Sequence, residues 1–375
     1  MLDTEFLVIG GGIAGAGVAY FLAPHAKVML LDMEAQAGYH TTGRSAAFYA
    51  ETYGGPLLQP LTTASKEFLL APPAEVSELP VLTQMGAIHI MTEEQRTAAN
   101  RLLEEMQGLP GVRELSVAEV LERAPQLDGA QFTAGVNDPD CGNLDVAALH
   151  QGYLRAAKKL GVEIALEDGL ESAEFTGDHW VVKTRKGQFT ARTLINTAGA
   201  WADDIAEKSG VQPLGLKPLR RTIVTVPNPE NLPFEKNSPV IIDVEERFYF
   251  KPEGAGYLVS PADETLSPAC DAQPELEDIA MAVEHFQNAT GSTVEKIEAK
   301  WAGLRTFAKD KAPVIGYDEK QPNFFWNVGQ GGYGIQTSPA WSELAANLAL
   351  GNAVPEELLK HGVKAEHYRP ARLLA

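Results

Sequence analysis

Three glycines near the start of the chain have the spacing of a phosphate-binding turn. Gly10, Gly12 and Gly15 lie in the run GGGIAG. The first position permits a tight turn, the second lets the backbone approach a pyrophosphate, and the third lets a helix pack against a strand. Asp32 follows them and can accept hydrogen bonds from a ribose hydroxyl. Together these residues predict a dinucleotide site.

The segments around these glycines must form the unit that positions them. Residues 6–9 and 28–31 are short and apolar, as in buried strands, and residues 13–22 between them have the composition of a helix. The resulting βαβ unit offers the N–H groups and the positive dipole end of its helix to phosphates. Asp32 and Glu34 without a neighbouring arginine argue against a 2′-phosphate, and so against NADP. The alternative is a glycine-rich turn in another α/β fold.

A second glycine loop lies near the end of the chain. Gly331, Gly332 and Gly334 follow the apolar run 324–328 and precede residues 339–350, which are expected to form a helix. The apolar run 194–201 also ends in small residues, which allow a ligand to approach the backbone closely. We therefore expect the ligand to be held by segments far apart in the chain.

The composition limits the kinds of partner. The chain of 375 residues has 50 acidic and 31 basic residues, a net charge of −19, and nucleic acid is disfavoured because phosphate backbones are bound by cations. The eight histidines lack close paired spacing, so no metal site is predicted. Cys141 and Cys270 are too isolated for a disulfide scaffold and fit a reducing compartment.

Residues 6–23 are apolar enough to resemble a signal or membrane segment, but their surroundings argue against both. Asp3 and Glu5 stand where a signal peptide has basic residues, and glycines interrupt the run. We expect a cytoplasmic protein without an integral membrane segment. Peripheral contact with the inner membrane through an electron acceptor stays open.

Five motifs follow one another in an order typical of one enzyme family. They are GGGIAG at 10–15, TTGRSA at 41–46, INTAGAW at 195–201, WAGLR at 301–305 and GQGGYGIQTS at 329–338. In this order they resemble the D-amino acid oxidase/dehydrogenase superfamily of FAD enzymes, which includes glycine oxidase and sarcosine oxidase. The nearest branch by these motifs is that of the bacterial D-arginine dehydrogenases.

The resemblance implies an α/β fold, α+β overall. A Rossmann FAD domain of the glutathione-reductase type would be assembled from residues 1–80, 145–212 and 301–375. A substrate domain built on an antiparallel sheet would comprise 81–144 and 213–300. The second glycine loop supports FAD over NAD, because NAD enzymes need only the first fingerprint.

The resemblance also implies which residues contact FAD. The ADP half, the pyrophosphate and the flavin ring would be held by Gly10, Gly12, Ala14, Gly15, Asp32, Met33, Thr41, Thr42, Gly43, Arg44, Ser45, Ala46, Ala47, Gly199, Trp201, Gly303, Gly331, Gly332, Tyr333, Gly334, Ile335 and Gln336. A helix N-terminus after the second glycine loop would stabilise negative charge on the reduced ring. The WAGLR stretch lacks the cysteine that anchors flavin in the sarcosine oxidase branch, so non-covalent FAD is predicted; His40 is a conceivable linker.

The implied reaction is oxidation of the Cα–N bond of an amino acid. Its main protein requirement is an arginine that grips the substrate carboxylate by a bidentate fork. Arg305 is the first candidate and Arg221 the second, whereas Arg220 should point the other way by strand alternation. By the same resemblance, Tyr53 and Tyr249 close over the substrate.

The predicted preference for the substrate side chain differs from that of the D-arginine branch. That branch has an acidic residue where this chain has Gln84, Met85 and Gly86. An unpaired guanidinium there would cost about 1–3 kcal/mol, so D-amino acids with neutral or apolar side chains are predicted substrates. Glu51 is the one candidate for a substitute charge.

Three alternatives stay open at this point. One is a glycine or sarcosine-type amine oxidase, and another is an FAD enzyme of 2-hydroxy acids, which would need a base such as histidine to take the hydroxyl proton. The third is a flavin-binding module without turnover. The sequence leaves the electron acceptor, oxygen or quinone, undetermined.

Overall fold

Two large sheets and one small one organise the chain in the computed structural model, which describes residues 2–373. Within that range the strands are β1 (Thr4–Ile9), β2 (Val28–Leu31), β3 (Phe48–Tyr49), β4 (Leu82–Gln84), β5 (Ala87–Met91), β6 (Arg113–Ser116), β7 (Ala134–Asp138), β8 (Gly142–Leu144), β9 (Glu163–Ala165), β10 (Leu170–Phe175), β11 (Trp180–Thr184), β12 (Gln188–Asn196), β13 (Lys217–Pro227), β14 (Val240–Asp243), β15 (Tyr249–Glu253), β16 (Gly256–Ser260), β17 (Thr265–Leu266), β18 (Ala299–Phe307), β19 (Val314–Tyr317) and β20 (Phe324–Val328).

The helices flank these sheets. In the described range they are α1 (Ile13–Leu22), α2 (Gln59–Leu70), α3 (Arg96–Glu105), α4 (Val117–Arg123), α5 (Val146–Lys159), α6 (Ala202–Lys208), α7 (Leu276–Thr290), α8 (Ser338–Ala349) and α9 (Glu356–Lys360). Helix α5 begins at a side-chain cap, because the Asp145 carboxylate accepts a hydrogen bond from the Ala148 N–H at 2.8 Å. None of these helices is both long and apolar enough to cross a bilayer.

The first sheet carries the βαβ unit. Its order is β10-β11-β12-β1-β2-β9, and β20 pairs with β12 and β19. Strands β1, β2, β9, β12 and β20 run parallel, as the buried apolar runs predicted. Helices α1, α5 and α8 pack together, and Gly17 permits the contact, because a Cβ there would lie 2.1 Å from the Ser342 Oγ. The apolar run that begins at Leu194 forms the end of the longer strand β12.

The second sheet is mainly antiparallel. Its order is β17-β13-β16-β15-β14-β5-β7-β6, with β18 along the other edge of β13. Strands β14, β15 and β16 form an antiparallel meander, β16 pairs with β13, and one parallel pair, β14 with β5, joins them to the earlier strands. The small third sheet has the order β3-β8-β4. The predicted fold class, an α/β domain beside an antiparallel sheet, is confirmed.

The WAGLR motif forms part of a strand of the second sheet. Strand β18 pairs with β13 from Lys217 to Thr225 and belongs to that sheet, although the predicted division assigns residues from 301 onward to the FAD domain. The chain therefore crosses between the two sheets around the end of β18. The division into domains otherwise stays a prediction.

Candidate active site

A cavity of about 620 Å³ runs between the two large sheets. Its walls are formed by the first glycine turn, the end of β2 with the loop that follows it, the end of β12 and the second glycine loop. One end reaches Arg221 and Arg305 of the second sheet. Segments that are far apart in sequence thus meet around one elongated space.

The first glycine turn forms the cradle that its spacing predicts. Gly10 has φ of +107°, and a Cβ there would lie 2.7 Å from the Thr197 carbonyl oxygen. The N–H groups of Gly12 and Ala14 donate to no acceptor in the described chain, and both residues line the cavity. They are therefore available to an anionic group at the start of α1.

Gly15 has a packing role. It does not line the cavity, and a Cβ there would lie 1.8 Å from the Gly10 carbonyl oxygen and 2.9 Å from the Thr197 Oγ1. Only glycine lets the first turn of α1 come this close to the end of β1.

Asp32 lies at the edge of the cavity and braces the turn. Its Oδ2 accepts a hydrogen bond from the Gly11 N–H at 2.6 Å, and its Oδ1 accepts one from the Glu34 N–H at 2.8 Å. Burial raises the pKa of Asp32, and these two hydrogen bonds oppose the shift. Each carboxylate oxygen keeps a lone pair for a ribose hydroxyl.

Sequence reasoning missed His150, which supports the same turn from α5. Its Nε2 lies 2.8 Å from the Gly11 carbonyl oxygen. Burial lowers the pKa of His150, so the ring is neutral at pH 7 and donates from Nε2. The loop Asp168 to Leu170, also missed, lines the cavity beside Met33. No sequence signal marks either segment, because only the fold brings them to the cavity.

The TTGRSA loop is fastened to both sides of the cavity. The Ile13 N–H donates to the Thr42 Oγ1 at 3.0 Å, and the Thr41 Oγ1 donates to the Leu304 carbonyl at 2.7 Å. Arg44 donates to the carbonyl oxygens of Ala272 and Ala302 at 2.9 and 3.0 Å. The loop therefore fixes α1 and β18 relative to each other.

The second glycine loop presents free N–H groups. Those of Gly332, Gly334 and Ile335 have no acceptor among residues 2–373, and all three residues line the cavity. Helix α8 begins at Ser338, after a run of turns that follows Gly331. The predicted helix start thus lies beyond the loop, and the loop N–H groups themselves can stabilise negative charge.

Most of the predicted cofactor residues line this cavity. Those that do are Gly10, Gly12, Ala14, Asp32, Met33, Thr41, Thr42, Arg44, Ser45, Ala46, Gly199, Trp201, Gly303, Gly331, Gly332, Gly334 and Ile335. The residues that do not line it are Gly15, Gly43, Ala47, Tyr333 and Gln336. Gln336, for example, uses its amide on the backbone of Ala50 and on the Thr62 Oγ1.

The register of β13 and β18 places the two candidate arginines on one face. Leu219 is opposite Arg305, and Arg221 is two residues further along β13. Opposite residues and residues two apart share a face, so Arg221 and Arg305 both point into the cavity. Arg220 lies on the other face and pairs with acidic residues at the start of α7, as predicted.

Arg305 is a buried cation without a close ion pair, although the Glu246 carboxylate lies near enough to attract it and Arg221. Only 8% of it is exposed, and it forms no ion pair within the described part of the chain. Its Nη1 donates to the Tyr53 hydroxyl at 2.7 Å. Arg221, in contrast, donates from Nε to the Asp263 carbonyl at 2.8 Å and lies 3.4 Å from a Glu264 carboxylate oxygen. Arg305 is therefore the side chain that most needs an anion.

Aromatic rings surround Arg305. Tyr53 packs against Tyr333 at 4.7 Å between ring centroids, and Phe48 lies 5.3 Å from Tyr249. The Tyr249 hydroxyl is buried and has no hydrogen-bond partner among the described residues. Burial raises the pKa of Tyr53, so its phenol stays protonated at neutral pH. Tyr53 and Tyr249 lie next to Arg305 but do not line the cavity, which Arg305 itself does.

Comparison with known proteins identifies the class. The profile of the family described as DAO, FAD dependent oxidoreductase, matches residues 5–348. The chain belongs to this family, and the predicted superfamily resemblance is confirmed.

Individual relatives share a quarter or less of their aligned residues with this chain. The chain is 25% identical to glycine oxidase from Bacillus subtilis over 363 residues, covering 95% of both chains. It is 23% identical to mitochondrial dimethylglycine dehydrogenase of Rattus norvegicus, of which it spans 44%. Its fold matches glycine oxidase from Geobacillus kaustophilus (TM-score 0.82, 20% identity, 94% of this chain and 96% of that one). L-proline dehydrogenase from P. horikoshii gives a TM-score of 0.84 at 21% identity over 100% of this chain and 98% of that one.

FAD is accordingly the cofactor of this protein, as predicted. The cavity fits it, since two sets of free N–H groups and the Asp32 carboxylate are spaced along one elongated space. Likeness to the D-arginine dehydrogenases stays a prediction from the motifs.

We expect the FAD to be released intact by acid or heat. His40 lines the cavity, and its Nε2 lies 2.9 Å from a Glu34 carboxylate oxygen, which holds the ring by a non-covalent contact. Acid precipitation should give a colourless pellet and a yellow supernatant. A pellet that stays yellow, with a flavin-bearing peptide that contains His40, would contradict this expectation.

Proposed function

We propose that the protein oxidises D-amino acids with neutral or apolar side chains to imino acids, which water converts to 2-keto acids and ammonia. The observation that carries the proposal is Arg305, a buried cation at the end of the FAD cavity that forms no ion pair among the described residues. An amino acid carboxylate supplies the missing anion in the planar geometry that a guanidinium matches best. The preference for the D-enantiomer rests on the motif resemblance.

In this proposal, the protein binds and orients the substrate beside the cofactor. Bound FAD supplies the chemistry, since it accepts a hydride from Cα. Arg305 grips the carboxylate, and the Tyr53 and Tyr249 hydroxyls hydrogen-bond the substrate. Arg221, which shares the face of the sheet with Arg305, adds positive charge to the same end of the cavity. The aromatic rings of this end exclude water from the reacting atoms.

An apolar cluster around Tyr249 supports a neutral side chain. Phe48, Met85, Val240 and Ile242 belong to it. These apolar groups offer no partner to a guanidinium or an ammonium, and the Glu246 carboxylate, which acts on the same end of the cavity, is already attracted to Arg221 and Arg305.

Glu51 is not available as a substitute charge. It is buried, and its carboxylate accepts hydrogen bonds from the Tyr49 hydroxyl at 3.0 Å and the Thr63 Oγ1 at 2.5 Å. Lys66 lies 3.4 Å from the same carboxylate. The expectation that Glu51 could face a basic substrate is therefore not supported by its contacts.

The test is a panel of substrates under anaerobic conditions, with bleaching of the flavin as the signal. D-leucine and D-methionine should reduce the flavin with kcat/KM at least about tenfold above that of D-arginine, since an unpaired buried charge costs about 1–3 kcal/mol. The L-enantiomers serve as matched controls. A D-arginine value tenfold above the neutral substrates would refute the side-chain preference. Reduction by L-leucine but not D-leucine would refute the stereochemistry.

The same panel decides between this proposal and a glycine or sarcosine-type amine oxidase. The similarity to glycine oxidase over 95% of both chains favours that second candidate. Glycine and sarcosine reducing the flavin faster than any D-amino acid would establish it. A 2-hydroxy acid enzyme is less well supported, because the ring nitrogens of the buried His89 and His150 bond to Thr52 and to Gly11. Repeating the panel with oxygen and with a quinone would identify the electron acceptor.

A further inference from the structure

Three buried polar side chains, linked by hydrogen bonds, lie beside Tyr53. The Thr52 Oγ1 donates to the Asp138 Oδ2 at 2.7 Å and lies 3.1 Å from the His89 Nε2. The three side chains are 1–5% exposed and come from three separate segments: the loop after β3, strand β5 and strand β7. None of them lines the FAD cavity.

The hydrogen bonds among these three side chains run in one direction, from His89 through Thr52 to Asp138. Burial lowers the pKa of His89 to about 4, so its ring is neutral and donates from Nε2 to Thr52. Thr52 in turn donates to Asp138, whose other oxygen faces the N–H groups of Asp140 and Cys141 at 3.2 Å. Thr52 is thus the link that satisfies two buried polar groups at once.

The backbone of Tyr53 has one long hydrogen bond of its own, from its N–H to the Ala50 carbonyl oxygen at 3.3 Å. Gly54 and Gly55 follow with φ of +101° and +73°, and glycine, which lacks a Cβ, restrains the backbone least. Before Tyr53, Ala50 is held by the Gln336 amide. The side chain of Thr52 is therefore the side-chain anchor directly next to the tyrosine that meets Arg305.

We propose that Thr52 is a positioning residue, which holds the backbone beside Tyr53 through His89 and Asp138 so that the tyrosine hydroxyl stays against Arg305. It acts through Tyr53 and does not touch the substrate. The inference rests on the proposed function in so far as Arg305 and Tyr53 bind the substrate carboxylate.

The test compares Thr52→Val, which keeps the shape and removes the hydroxyl, with Thr52→Ser, which keeps the hydroxyl. Thr290→Val is the control for the general cost of removing a buried hydroxyl, since Thr290 is buried in α7 and bonds only locally. The first measurement, on the FAD-loaded protein without substrate, is amide hydrogen exchange of residues 50–55. It should rise about tenfold in Thr52→Val and remain near the wild-type rate in the other two variants.

The second measurement is a double-mutant cycle with Tyr53→Phe on the best amino acid of the panel. Thr52→Val should raise KM about tenfold and change kcat less than threefold, and this effect should disappear when Tyr53 is already phenylalanine. The inference would be overturned if the effects of Thr52→Val and Tyr53→Phe on KM multiplied independently. It would also be overturned if amide exchange of residues 50–55 were unchanged in Thr52→Val. If no amino acid reduces the flavin while exchange still rises in Thr52→Val alone, the proposed function fails and the anchoring stands.

Discussion

Replacing Arg305 by methionine is expected to lower kcat/KM for amino acids by at least about 100-fold while the flavin stays bound. Arg305 is 8% exposed, and the one hydrogen bond of its guanidinium within residues 2–373 goes to the Tyr53 hydroxyl. A substrate carboxylate would add two charge-assisted hydrogen bonds, each worth about 1.5–3 kcal/mol. Arg305→Lys retains the charge and loses the fork, so an intermediate loss of about 10–100-fold is expected.

The control for this experiment is Arg101→Met, which removes an arginine on the surface of α3 that pairs only with Glu105. It should leave kcat/KM within about twofold of the wild-type value, because exposed ion pairs contribute little. Steady-state kinetics and the ratio of flavin to protein measure both variants. If Arg305→Met left KM unchanged while Arg221→Met raised it, the carboxylate grip would belong to Arg221.

Replacing Gly15 by alanine is expected to abolish FAD binding. The added Cβ would lie 1.8 Å from the Gly10 carbonyl oxygen, far inside van der Waals contact, and the opposing atoms are backbone. Helix α1 would have to move away from β1, and the free N–H groups of Gly12 and Ala14 would move with it. We expect purified protein with less than about a tenth of the wild-type flavin content, because positioned N–H groups are what bind the phosphates.

The matched control is Gly187→Ala, where the new methyl group meets nothing within 4 Å and the backbone needs no positive φ. It should retain a full complement of flavin. Absorbance of the flavin relative to protein gives the result, and circular dichroism shows whether each variant is folded. A folded Gly15→Ala protein with wild-type flavin content would show that α1 can shift without loss of the phosphate site.

Much of the first sheet was predictable because its signals are local. The glycine spacing and the apolar runs of β1, β2 and β20 depend on neighbours in sequence. The structure contains each of these features. The opposite directions of Arg220 and Arg221 follow from strand alternation alone.

The features that could not be predicted depend on pairing between distant segments. Nothing in the sequence near Thr52 indicates that His89 and Asp138 meet it, because this contact requires β5 and β7 to pair in register. His150 reaches Gly11 only because α5 packs against α1. The sequence marks the WAGLR motif but does not predict the strand β18 that contains it. Both faces of β18 are buried from Ala302 onward, so the alternation of apolar and polar residues that would indicate a strand is missing.

The pairing of β13 with β18 has a consequence for how this protein can change over evolutionary time. The connection between the two strands runs from Pro227 to Ala299 and includes four further strands and a helix, so insertions in its loops leave the pairing intact. A deletion of one residue inside β18, before Arg305, would turn that arginine to the opposite face, beside the acidic residues that already bind Arg220. Substrate range can therefore diversify through loop length, whereas the spacing within this strand pair must be inherited unchanged.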